Sequence, residues 1–153
     1  MLPINSAGAI LLMHGWDPAV PDVSFWFTIG GAAQPGEDLP TAGARELWEE
    51  TGIVLQPHQL GPPIAHHRHE FGWDGKILVQ DETYFAVSVG SVEVSFTGME
   101  QIELDTIDRA AWWTPDDLDA DGTAGFDQLT DVMRSAIELL GHSSPDVSFR
   151  HRS

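Results

Sequence analysis

Cysteine is absent from this 153-residue chain, which excludes disulfide frameworks, thiolate metal sites and thiol nucleophiles together. Positive charge is nearly as scarce. One lysine, Lys76, and six arginines face 24 acidic residues, for a formal net charge of −17. A protein that grips duplex nucleic acid needs a basic surface, so no duplex partner is expected. The same balance argues against docking on an anionic membrane. Long apolar runs are missing too. The longest near the start, residues 7–13, falls well short of the roughly 20 residues a spanning helix needs. It has no basic stretch before it and no small-residue cleavage site after it, so it does not read as an export signal. The expectation is a soluble, cytoplasmic protein.

What is present suits one ordinary domain. At 42% hydrophobic and 20% charged the chain can build a core. Residues 6–14 read as a buried strand and 25–29 as a second, by aromatic and β-branched content. From Asp38, a natural N-cap, the pattern turns helical, with Pro40 in the first turn and Gly52 at the C-terminal end. Gly43 in its middle costs roughly 1 kcal/mol against alanine, which points to close packing on that side. Strands are expected over 64–71, 77–89 and 92–97, with an Asp74-Gly75 hairpin turn. Another follows at 110–113, then a short helix capped by Thr114 and an amphipathic helix over 126–140. The order predicts an α/β fold, a mixed sheet between helices, in a single domain over 1–141 with a loose tail at 142–153.

The informative segment is residues 31–53, GAAQPGEDLPTAGARELWEETGI. On a helix Glu46, Glu49 and Glu50 stand at i, i+3 and i+4, so three carboxylates share one face. A solvated face stabilised by an Arg45–Glu49 pair is one reading. A site for a hard cation such as Mg²⁺ or Mn²⁺, which also binds substrate phosphates, is the other. The spacing decides between them. Gly31, Glu37, Arg45-Glu46, Leu47, Glu49-Glu50, Gly52 and Ile53 match every position of GX5EX7REUXEEXGU, where U is aliphatic. The segment resembles the Nudix box of the MutT-like pyrophosphohydrolases.

That resemblance implies a Nudix-type α/β/α sandwich and metal ligation by Glu46, Glu49 and Glu50, with the Gly31 carbonyl often joining. It also implies a supporting role for Glu37, and for Arg45 the orienting of a glutamate by a salt bridge. Two or three Mg²⁺ (or Mn²⁺) are expected with substrate bound. In some family members a glutamate outside the box activates the water; Glu103 and Glu100 rank first here and Glu82 third, with Glu46 as the alternative inside it. The implied partner is a small-molecule nucleoside diphosphate derivative: a nucleoside triphosphate, a nucleotide sugar or ADP-ribose. A family proline before the paired glycines is replaced by Ile29, which alters a strand end and no ligand. Subfamily marks for ADP-ribose and diadenosine polyphosphate hydrolases are not met at residues 68–71, and Tyr84 is the sole tyrosine. The sequence names the reaction but not the substrate.

Among other residues, Arg68 and Lys76 are the cations able to meet a phosphate, and Trp26 is a candidate platform for a stacked base, as are Trp16 and Trp73. Trp48 and Trp112-Trp113 read as packing residues. His67 and His69 share a strand face from which His66 points away; a zinc reading lacks a third partner. A homodimer through the aromatic strand at Phe25 and Phe27 is left open. The main competing function is a catalytically silent nucleotide sensor, but such domains usually lose box glutamates and this chain keeps all four. An isopentenyl-diphosphate-type isomerase, on the same fold, relies on a cysteine this chain lacks.

Overall fold

The central strand of the main sheet is Ile10–Trp16 (β2). Along one edge it pairs antiparallel with Ile107–Trp113 (β7); the other edge is shared by Leu2–Ile4 (β1) and Ser24–Phe27 (β3). β1 pairs parallel with Ala86–Ser88 (β6), which makes the sheet mixed, with five strands among the described residues. Ala65–Trp73 (β4) and Lys76–Tyr84 (β5) form a separate antiparallel hairpin. Among the described residues the longer helices are Leu39–Thr51 (α1), Pro115–Asp121 (α2) and Leu129–Leu139 (α3). The computed structural model describes residues 1–90 and 105–141. The expected strand at 92–97 and the tail at 142–153 lie outside the described residues.

Alternation along β2 builds two cores. Ile10 and Leu12 point to a cluster with Leu118 of α2 and Leu129 and Met133 of α3. Leu11 and Met13 point the other way, to Leu47 of α1 with Ile29, Ile53 and Phe85. The period of two thus places α2 and α3 on one sheet face and α1 on the other. This is the sandwich read from the sequence.

Local chemistry sets the boundaries of α1. Asp38 accepts from the Thr41 amide at 2.8 Å, and the Gly52 amide closes the last turn on the Trp48 carbonyl. Gly43 is needed for approach: a Cβ there would lie 2.8 Å from the Met1 sulfur. The hairpin turns through Asp74 and Gly75, both at positive φ, as a two-residue turn demands.

Several boundaries differ from the sequence reading, three of them for causes visible in the structure. The strand expected at 6–14 begins only at Ile10, with an unexpected strand, β1, before it, because the Asn5 side chain accepts from the Ala7 and Ala9 amides and folds residues 5–9 into a turn. The expected 77–89 strand divides at Phe85, where the chain leaves the hairpin and joins β1; the Leu2 amide bonds the Phe85 carbonyl at 2.8 Å. β3 stops at Phe27 rather than residue 29, since the Gly30 amide turns away to the Glu50 carboxylate at 2.9 Å.

Candidate active site

The acidic helix lies beside a cavity of about 950 Å³. One wall is the end of β3 and the following loop, Gly30 to Ala33, with Glu46 and Glu50 of α1 behind it. The opposite wall is the hairpin, through His69, Phe71, Gln80, Glu82 and Tyr84. Phe126, Asp127 and Gln128, before α3, close a third side.

Glu46 is 7% exposed and Glu50 3%. Carboxylates this buried are costly unless charge or hydrogen bonds meet them. Glu50 takes the Gly30 amide, which ties α1 to the end of β3. Arg45 meets the rest. Its guanidinium holds Glu37 in a two-bond fork at 2.9 Å each, reaches Glu46 at 2.9 Å and Glu49 at 3.1 Å, and donates to the Ala32 carbonyl. One side chain therefore fixes three glutamates and the loop that carries Gly31.

Hydrogen bonds from Arg45, then from the Gln34 amide, hold the Glu37 carboxyl down at about 2. The sign follows from linkage. A carboxyl depressed in the folded state stabilises above its unfolded value of 4.5, and that contribution is lost as pH falls toward 2. In thermal melts against pH, wild type is expected to lose stability relative to Glu37→Gln across that window. At neutral pH the variant should melt lower.

The donor chemistry fits a hard divalent cation: every candidate ligand is oxygen. The backbone comes close enough to take part, since a Cβ on Gly31 would stand 2.5 Å from a Glu46 oxygen. Among the described residues no group of three His, Cys, Asp or Glu is placed to hold a metal ion by itself. The arrangement suits an ion that completes its shell with water and phosphate oxygens.

Other residues singled out in the sequence are placed as follows. Arg68 is exposed and pairs with Asp81 at 3.2 Å, and Lys76 is exposed at the hairpin tip; neither lines the cavity. Trp26 is 4% exposed in the core, edge-on to Trp113 and under the Arg109 guanidinium, and is likewise absent from the lining. Trp73 does line it; Trp16 does not. Trp48 is 53% exposed. Phe25 and Phe27, read as a candidate interface, both face the cavity, with rings 5.8 Å apart. His67 and His69 share a face, their rings stacked at 5.7 Å. Glu100 and Glu103 lie outside the described residues. Sequence reasoning missed Tyr84 and Phe126 as cavity residues; the one available signal was that Tyr84 is the sole tyrosine.

No helix among the described residues is long and apolar enough to cross a membrane. The model of the NUDIX domain matches residues 1–132. Over 115 residues the chain is 31% identical to an RNA pyrophosphohydrolase of Rhodopseudomonas palustris (strain HaA2), a match covering 70% of this chain and 64% of that relative. Among solved structures it resembles a C. elegans Ap4A hydrolase binary complex, with a TM-score of 0.61, 19% identity and 93% of each chain covered. It also resembles the E. coli dihydroneopterin triphosphate pyrophosphohydrolase, with a TM-score of 0.61, 16% identity and 93% and 92% covered. At such identities these structures speak to the fold alone.

Proposed function

The chain belongs to the NUDIX domain family, and on that premise we propose that it hydrolyses the pyrophosphate link of a nucleoside diphosphate joined to another moiety. Water attacks phosphorus, and the substrate is a nucleoside triphosphate, a nucleotide sugar or ADP-ribose. The observation that carries this reading is the pair of buried carboxylates, Glu46 and Glu50, at the cavity wall with the Gly31 backbone pressed against Glu46. The curated relative, named for pyrophosphate hydrolysis, supports the bond type.

Glu46, Glu49 and Glu50, with the Gly31 carbonyl, would hold Mg²⁺ or Mn²⁺, which when bound neutralises phosphoryl charge and makes water nucleophilic at neutral pH. Such a cation answers a specific need. The described lining contains no lysine or arginine, so the side chains alone would repel a polyanion. Arg45 keeps Glu46 and Glu49 in place, and the Gly30–Glu50 bond fixes the loop to the helix. The proton of the attacking water passes to a carboxylate: Glu103 or Glu100 outside the box, or Glu46 within it. Arg68, Lys76 and Trp26 do not line the cavity, and this reading gives them no contact with the substrate.

The test is product analysis on a panel of nucleoside triphosphates, nucleotide sugars and ADP-ribose, with Mg²⁺ or with EDTA. Turnover that needs the metal is expected, releasing a nucleoside monophosphate. Nucleotide binding without any turnover would favour the sensor.

A further inference from the structure

The hairpin wall of the cavity carries a polar relay that the reaction as described does not use. Tyr84, 2% exposed, donates its hydroxyl to Glu82 Oε2. His69 Nε2 lies 3.1 Å from the Tyr84 oxygen and 3.5 Å from Glu82 Oε2. Because the tyrosine proton is committed to Glu82, the tyrosine oxygen accepts from His69, and the relay runs from histidine to tyrosine to carboxylate. Burial first, and then the bond to Glu82, push the Tyr84 hydroxyl far above its ordinary range. Phe126 packs 4.8 Å from the His69 ring and 6.1 Å from Tyr84. The relay ends on one oxygen of Glu82, Oε2, and an ionised carboxylate has about four acceptor positions.

A carboxylate is an odd wall for a cavity that admits a diphosphate. Glu82 also shares the cavity lining with Glu46 and Glu50 of the acidic helix. Repulsion of this kind needs an offsetting use, either a cation or a hydrogen-bond donor. A donor on the substrate fits better. Phe25, Phe27, Phe71, Trp73 and Phe126 supply flat apolar walls around it, as a planar ring needs.

We propose that Glu82, positioned by Tyr84 and His69, selects the organic half of the substrate by accepting from an edge with a ring N–H beside an amino group. That edge is the 2-aminopyrimidin-4-one face shared by guanine and the pterins. Its two donors match the two oxygens of a carboxylate. Hypoxanthine keeps the N–H and loses the amino group; adenine sets its amino group beside a ring acceptor that the carboxylate repels. The proposal rests on the cavity being the site of diphosphate hydrolysis.

The experiment measures kcat and KM for GTP, ITP, ATP and a pterin triphosphate on wild type, Glu82→Gln and Tyr84→Phe, with calorimetric binding of GDP and IDP alongside. Wild type is expected to prefer GTP to ITP by about 10- to 100-fold, mainly through KM, with ATP poorest. In Glu82→Gln that preference should collapse to within about threefold. Tyr84→Phe, which keeps the ring and loses the hydroxyl, should fall between. Either ranking of GTP and the pterin supports the shared edge and names its source. Equal use of GTP and ITP by wild type would overturn the proposal. So would an equal fall in kcat on every substrate in Glu82→Gln, which would place Glu82 in the chemistry. Should nothing turn over while GDP still binds more tightly than IDP, and Glu82→Gln equalises them, hydrolysis fails and the recognition edge stands.

Discussion

Glu50→Gln is expected to lower kcat/KM by about a thousandfold, a loss of roughly 4 kcal/mol in transition-state stabilisation. The substitution keeps the shape of the side chain and an oxygen that can accept from the Gly30 amide, so the link between α1 and the end of β3 survives. What goes is the charge. Glu50 is 3% exposed at the cavity wall, where water screens least and a missing negative charge is felt most by a cation. The melting temperature should change little or rise, because a buried carboxylate becomes neutral. Steady-state kinetics at saturating Mg²⁺, beside a thermal melt, separates this outcome from misfolding.

Leu12→Ala carries the largest expected cost to stability, about 3 to 4 kcal/mol. Leu12 is fully buried in the central strand and packs in the cluster that α2 and α3 share with the sheet. Neighbours on β3 and β7 hold the backbone of β2 on both edges, so the site cannot collapse to fill the space. Urea unfolding should shift to a lower midpoint with an unchanged slope. The Leu12 side chain points away from α1, so the cost should appear in unfolding and not in the metal requirement of catalysis.

How far these features could be read in advance depends on how local their causes are. The acidic helix was legible to its ends, because Asp38, Pro40 and Gly52 act within a turn of the residues they cap. The need for glycine at 43 was legible as a propensity cost, although its cause is the sulfur of Met1, 42 positions away in the chain. The short β1 was not, because its three residues gain most of their strand pairing from β6, more than 80 positions on. The division at Phe85 was hidden for the same reason: residues 77–89 contain no glycine or proline to mark a break, and only the partners differ. In the site, the box places its glutamates at helical spacing on contiguous sequence. The second wall is built from His69, Tyr84 and Phe126, and only the folded chain brings them together. Trp26 illustrates the converse. An aromatic beside a loop invites a stacking role, yet β-sheet register turns this one inward, against His14 at 4.8 Å and Trp113 at 5.3 Å.

The central claim is that water attacks phosphorus in a cavity bounded by Glu46 and Glu50. Its most direct test runs the best substrate of the panel in ¹⁸O-labelled water with Mg²⁺ and follows the label by mass spectrometry. The account predicts one ¹⁸O atom in a phosphate-bearing product, and none without the metal or in Glu50→Gln beyond the expected residual rate. Label in the organic moiety would mean a carbon–oxygen bond had broken, and no label with every substrate recovered intact would mean no hydrolysis; either result would contradict the account.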